Sequence, residues 1–175
     1  MRTLWLLLSF VACVGFAGAE ALTAEQKTQV QTKLSQLKAW GNAPEVVSGV
    51  TQAAPSWAAS MTQDKWKSLS ILSAEVKELA KNPLATWLRS QVDAAISEVF
   101  VSRSDGTKVA FLSKPTNWSH KGNPKHDQPM AGKTWIGDVA TDESTGVKQV
   151  QVSFSVLEGT KVIGSVVVGL QLSKL

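Results

Sequence analysis

The chain has 175 residues, of which 43% are hydrophobic and 18% charged, with a formal net charge of +4. This composition excludes a disordered chain, and the modest charge excess falls short of the dense basic stripe a nucleic-acid binder needs, so no nucleic-acid partner is expected. The single cysteine, Cys13, excludes an internal disulfide and a thiolate-based metal site.

The N-terminus reads as an export signal. Arg2 supplies one positive charge, Leu4 to Gly18 is an uncharged apolar run, and Ala17-Gly18-Ala19 offers the small residues a signal peptidase requires. The run is about 15 residues, below the roughly 20 that a transmembrane helix needs. Cleavage near Ala19 is expected, which places the protein in the periplasm or outside the cell. Two competing readings are lipidation at Cys13 and an uncleaved anchor. Cleavage removes Cys13 and Arg2, leaving a net charge of +3 from +4.

Residues 20–95 carry helical periodicity. Thr23 with Gln26 is a capping-box start, and Val30, Leu34, Leu37 and Trp40 form one apolar stripe that Gly41-Asn42 ends. Pro44 suits the first turn of a short second helix bearing Val46, Val47 and Val50. Thr62 caps a third helix, with a stripe of Trp66, Leu69, Leu72, Val76 and Leu79. Asn82-Pro83 interrupts it, because the residue before proline avoids the helical region. A fourth segment carries Leu84, Trp87, Leu88, Gln91, Val92 and Ala95.

From Ile96 the period becomes two. Ile96 to Ser102 is a strand, Ser104-Asp105-Gly106-Thr107 a turn, and Lys108 to Ser113 the return strand. Pro115 to Gly132 has no clear period and admits a short helix near Pro124 to Gln128. A connection of this length in a compact domain is commonly functional. Trp135 to Ala140 is a third strand, and Thr141 to Gly146 a polar turn. Val147 to Leu157 alternates, with Val150, Val152, Phe154 and Val156 on one face. Glu158-Gly159-Thr160-Lys161 turns into a last strand, Val162 to Leu172, whose Val166-Val167-Val168 run suits a central position. The fold class is α+β: N-terminal helices followed by a five-stranded antiparallel sheet, residues 96–175, forming one domain with the helices.

Three stretches carry a resemblance. They are ISEVFVSRSDGTKVAFLSKPTNW at 96–118, HKGNPKH at 120–126, and WIGDVATDESTGVKQVQVSFSVLEGTKVIGSVVVGL at 135–170. In this order they resemble the extracytoplasmic Cache (PDC) sensor family, of PAS-like fold, in its small free-standing exported form. The sequence departs from that pattern at Asn123-Pro124, where acidic residues usually follow the glycine. The resemblance implies a small molecule held between the sheet and the loop after strand two. It also implies that the chain is not an enzyme and acts through a membrane signalling or transport partner.

The loop 114–133 holds Lys114, Lys121, Lys125, Lys133, His120 and His126 against one acidic residue, Asp127. Converging cationic donors favour a carboxylate ligand such as a small organic acid or an amino acid. The candidate ligand-binding residues are Trp118, His120, Lys121 and His126 in the loop, with Trp135 and Asp138 on strand three. Trp118 either plugs the core edge or walls a pocket, and Asp138 is placed to receive a ligand ammonium. The H-x5-H spacing of His120 and His126 fits neither helix nor strand geometry for a metal, so no metal site and no cofactor are expected. Catalytic motifs such as G-x-S-x-G, H-E-x-x-H and the P-loop are absent. The alternative is a structural or dimerisation module without a ligand, pairing as a homodimer through the stripe of the first helix.

Overall fold

The computed structural model describes residues 21–141 and 147–175. The expected leader at 1–19 and most of the polar turn at 141–146 lie outside the described residues. No helix among the described residues is long and apolar enough to cross a membrane.

The first helix, α1 (Ala24–Leu37), starts on its capping box. Thr23 Oγ1 accepts from the Gln26 N–H at 3.2 Å, and Gln26 Oε1 accepts from the Thr23 N–H at 2.9 Å. The chain then tightens into a 3-10 segment, Lys38–Asn42. Gly41 lies there because a Cβ would collide with the backbone carbonyl of Ser155. Helix α2 (Pro44–Thr51) follows, with Pro44 in its first turn.

The stripe expected to form one helix from Trp66 to Leu79 forms two: α3 (Gln63–Ser68) and α4 (Ala74–Lys81). Leu69 turns extended at ψ 130°, and the Ser70 hydroxyl accepts from the Leu72 N–H at 3.2 Å. Serines that bond local backbone offer the chain an alternative to helix, and Ser68, Ser70 and Ser73 cluster here. Ile71 and Leu72 are consequently 70% and 69% exposed, while Trp66, Val76 and Leu79 are buried. Helix α5 (Pro83–Gln91) begins at Asn82, whose Oδ1 accepts from the Ala85 N–H and whose Nδ2 donates to the Val109 carbonyl, each at 2.8 Å.

The strands are β1 (Ile96–Arg103), β2 (Lys108–Phe111), β3 (Trp135–Thr141), β4 (Lys148–Glu158) and β5 (Lys161–Leu170). They form one antiparallel sheet in the order β2-β1-β5-β4-β3. Strand β5 is central and its valine run is buried, as its composition predicts. Strands β2 and β3 are opposite edges, so the chain between them must cross a whole face of the sheet. That is the reason for the long connection. It carries a sixth, short α-helix, α6 (Pro124–Met130), which starts at the departing Asn123-Pro124 pair: Asn123 caps it and Pro124 occupies its first turn.

Alternation along the strands divides the interior into two cores. On one face Val99, Val101, Val150, Val152, Phe154, Val156, Val166 and Val168 pack under α1, α2 and α5, which contribute Val30, Leu34, Leu37, Val46, Val50, Leu84 and Leu88. Each such side chain contributes about 1.5–3 kcal/mol on burial. The stripe of α1 is therefore spent on the chain's own sheet. On the other face Phe100, Phe111 and Val167 pack against Trp66, Val76, Leu79 and Trp118. This second core covers only the β2 side of its face. The β3–β4 side carries polar residues.

Candidate functional site

A cavity of about 450 Å³ opens on that polar side. Its floor is Glu98 and Phe100 of β1 with Gln149 and Gln151 of β4. Its walls are Pro115, Thr116, Asn117 and His120 of the crossing loop, Lys125 of α6, and Trp135, Asp138, Ala140 and Thr141 of β3. A hollow of about 530 Å³ beside α1 is larger, but its lining is mostly exposed surface side chains.

The floor is an ordered polar array. Glu98 is only 3% exposed and accepts from Gln151 Nε2 at 2.7 Å and Gln149 Nε2 at 3.1 Å. Lys125 Nζ donates to Gln151 Oε1 at 2.6 Å, so one amide links the α6 cation to the β1 carboxylate. Ser97 Oγ donates to Gln149 Oε1. Gly169 on the neighbouring strand is required for this, since a Cβ there would occupy the position of the Gln149 amide.

The loop wall is fastened at both ends. Gly106, at φ 82°, gives the β1–β2 turn its left-handed residue, and the Gly106 carbonyl accepts from the His120 N–H at 3.0 Å. Ser119 Oγ donates to the Asp105 carbonyl at 3.1 Å. At the other end α3 staples the loop. Trp66 Nε1 donates to the Pro115 carbonyl at 2.7 Å, and the Gln63 side chain binds the Thr116 carbonyl, Asn117 Oδ1 and the Trp118 N–H at 3.1, 3.0 and 2.9 Å.

The opposite wall depends on an irregularity in β3, whose register with β4 shifts between Ile136 and Val139. A bulge of this kind re-aims side chains at a sheet edge. The Trp135 ring lies over Gly137, where a Cβ would come within 3.0 Å of its Cζ2. Asp138 sits in the bulge, exposed at the cavity rim.

Behind the floor lies a buried cation. Lys108 is 0% exposed; its Nζ lies 2.6 Å from His120 Nδ1 and donates to Ser102 Oγ at 3.2 Å and the Gly106 carbonyl at 3.4 Å. Its ammonium lies 4.7 Å over the Phe100 ring, and that ring stacks on His120 at 4.9 Å. Burial pushes the Lys108 amine down to about 7, with Lys125 adding repulsion and Glu98 and Asp105 opposing. Burial, then Lys108, Lys125 and His126, push His120 far below the usual imidazole range, so its ring is neutral.

Of the six residues singled out from sequence, His120, Trp135 and Asp138 line the cavity. Trp118 lies in the second core, with ring centroids 5.1 Å from Trp66 and 5.6 Å from Trp57. Lys121 is exposed at the surface. His126 is buried, its Nδ1 2.7 Å from Ser165 Oγ and its Nε2 3.3 Å from the Ser104 carbonyl, which ties α6 to β5. Among the other loop cations, Lys125 lines the cavity, Lys114 lies 4.9 Å over the Trp66 ring, and Lys133 is exposed. Glu98, Phe100, Lys108, Gln149 and Gln151 are the residues the sequence reading missed. Their signal was the polar half of two alternating strands, Glu98-x3-Ser102 and Gln149-x-Gln151-x-Ser153, each set against a buried apolar half.

An antiparallel five-stranded sheet with N-terminal helices and a long face-crossing loop has the architecture of a PAS-like fold, in agreement with the Cache-type resemblance. No family model matches the sequence. No curated protein matches it either. Among solved structures, the chain is similar to the sensor domain of Escherichia coli DcuS, with a TM-score of 0.50 and 15% identity over 87% of this chain and 95% of that one. It is also similar to the sensor domain of the Vibrio cholerae histidine kinase DctB, with a TM-score of 0.49 and 12% identity over 85% and 53% of the two chains. A third similar structure is the sensory domain of the Campylobacter jejuni chemoreceptor Tlp3 with isoleucine bound, with a TM-score of 0.47 and 10% identity over 84% and 55%. The chain thus spans about half the length of the DctB and Tlp3 domains.

Proposed function

We propose that this chain is an exported, sensor-type binding module for a small ligand carrying both an ammonium and a carboxylate, of the amino-acid class. It works without catalysis, and through a membrane signalling or transport partner. The observation that carries this reading is the mixed charge of one cavity: Lys125 on α6 and Asp138 on β3 line the same space of about 450 Å³, with Trp135 beside Asp138. The volume suits a small ligand. Asp138 accepts from the ligand ammonium, the Trp135 ring adds a face for the same cation, and Lys125 with His120 meets the carboxylate. A dicarboxylate would place a second anion near Glu98 and Asp138, and is disfavoured. Export rests on the leader-like Met1–Ala19 segment.

One observation favours a structural module instead: Glu98, Gln149, Gln151 and Lys125 already bond one another. Thermal-shift screening against amino acids, amines and organic acids separates the two readings. A ligand at 100 times its Kd stabilises by about 2.7 kcal/mol. Asp138→Asn should weaken an amino-acid ligand at least about tenfold, the cost of one charge-assisted hydrogen bond. Absence of any response across the panel, or unchanged affinity in that variant, refutes the proposal.

A further inference from the structure

We propose that Lys108 is a positioning residue for the cavity: its ammonium holds His120 as the neutral tautomer with the proton on Nε2, so that the ring meets a bound carboxylate as a donor. The recognition half rests on the ligand-binding reading above. The tautomer itself does not.

The argument begins with the donor inventory. An ammonium has three N–H groups and no lone pair. Lys108 Nζ lies 2.6 Å from His120 Nδ1, so Nδ1 must be the acceptor, and the proton of a neutral ring must sit on Nε2. The remaining Lys108 hydrogens go to Ser102 Oγ and the Gly106 carbonyl. All three donors are used, which leaves the ammonium no reason to rotate.

The position is built by the fold. The β1–β2 register shifts between Val101 and Ser102, pairing Ser102 with Lys108 and turning Lys108 inward. Phe100 completes a closed triangle with the lysine and the imidazole. Lys108 does not line the cavity, whereas His120 and Phe100 do. The positive charge therefore reaches the cavity only through the imidazole, which it polarises toward donation at Nε2. The charged groups that act on Lys108 are Glu98 on β1, Asp105 in the β1–β2 turn and Lys125 on α6. Glu98 and Asp105 favour retention of the ammonium, against the cost of burial and the repulsion from Lys125.

A cation behind a neutral donor differs from a cation in the cavity. It favours a carboxylate oxygen, yet it does not ion-pair with it directly. With Asp138 at the rim of β3, the cavity has one donor-rich side at the loop and one acceptor side at the edge strand. This orients an amino-acid ligand with its carboxylate toward His120.

The test is long-range proton–nitrogen NMR on the protein expressed from its full sequence with labelled histidine, at pH 6. The expected result is a His120 ring with bare Nδ1 and protonated Nε2 that does not titrate between about pH 5 and 8. Lys108→Met should release it, either moving the proton to Nδ1 or restoring titration in that window. Wild-type protein with the proton on Nδ1 overturns the proposal without any variant. An unchanged tautomer in a folded Lys108→Met protein also overturns it, leaving Lys108 a purely structural role. Glycine is then added as the probe. Movement of both the His120 Nε2–H and the Trp135 indole signals supports the recognition half. Movement of Trp135 alone overturns that half. No movement of either signal refutes the cavity reading, and with it the recognition half, while the tautomer result stands by itself.

Discussion

Replacing Lys108 by methionine should flatten the alkaline side of the protein's stability profile. In the folded chain the Lys108 pKa is pushed down to about 7, against 10.5 for the unfolded side chain, chiefly because the ammonium is buried. Between these values the unfolded chain holds a proton that the folded chain has shed, so stability rises with pH across the window. Below pH 7 both states carry the proton and the cost of the buried charge applies in full. The two pKa values together correspond to about 5 kcal/mol, of which roughly 2 kcal/mol is gained between pH 7 and 9. For a domain of this size that is a rise in Tm of about 4–8 °C. The assay is thermal unfolding of wild type and Lys108→Met at both pH values, read as the difference between the two proteins. Other titrating groups are common to both and cancel. Parallel profiles would refute the reasoning, since a lysine that stays charged or becomes solvated when folded makes no such difference. His120 acts on the acid side in the same sense. Its folded pKa lies far below the ordinary 6.5, so stability is full above that value and is lost as the pH falls below it.

Trp118→Ala should cost about 3–5 kcal/mol in urea unfolding, because the ring is buried between Trp57 and Trp66, whereas Leu72→Ser should stay within about 0.5 kcal/mol because Leu72 projects into solvent. If the two variants had similar effects, the division between second core and surface would be wrong. Gly164→Ala places a Cβ against the Ser102 carbonyl across the β1–β5 pairing, and should cost about 1–3 kcal/mol; a neutral effect would mean that the strands separate freely there.

Much of the local structure was legible from neighbouring residues alone. Thr23 with Gln26, Asn82-Pro83, Asp105-Gly106 and the period-two valines each act within a few positions, and each formed the predicted cap, break, turn or strand. Trp66 to Leu79 failed as one helix because apolar spacing was counted without Ser70, whose hydroxyl takes the Leu72 N–H in the break between α3 and α4. The candidate site was half legible for a similar reason. His120, Trp135 and Asp138 stand out in sequence because a loop tryptophan-histidine stretch and a strand aspartate are unusual. Lys108 looked like an ordinary strand-start lysine, and Glu98 like one polar residue in an apolar strand.

The sequence by itself determined which residues are helical, which alternate, and where the chain turns, because those are contests between a residue and its near neighbours. Only the tertiary structure decided that β1 would lie beside β5 and not β3, and that the long connection would cross a polar face. That arrangement buried Lys108 against His120, and set Glu98 beside two glutamines some fifty residues away. Buried charge is tolerated only where distant donors and acceptors converge on it, and convergence is a property of topology, invisible to any local pattern.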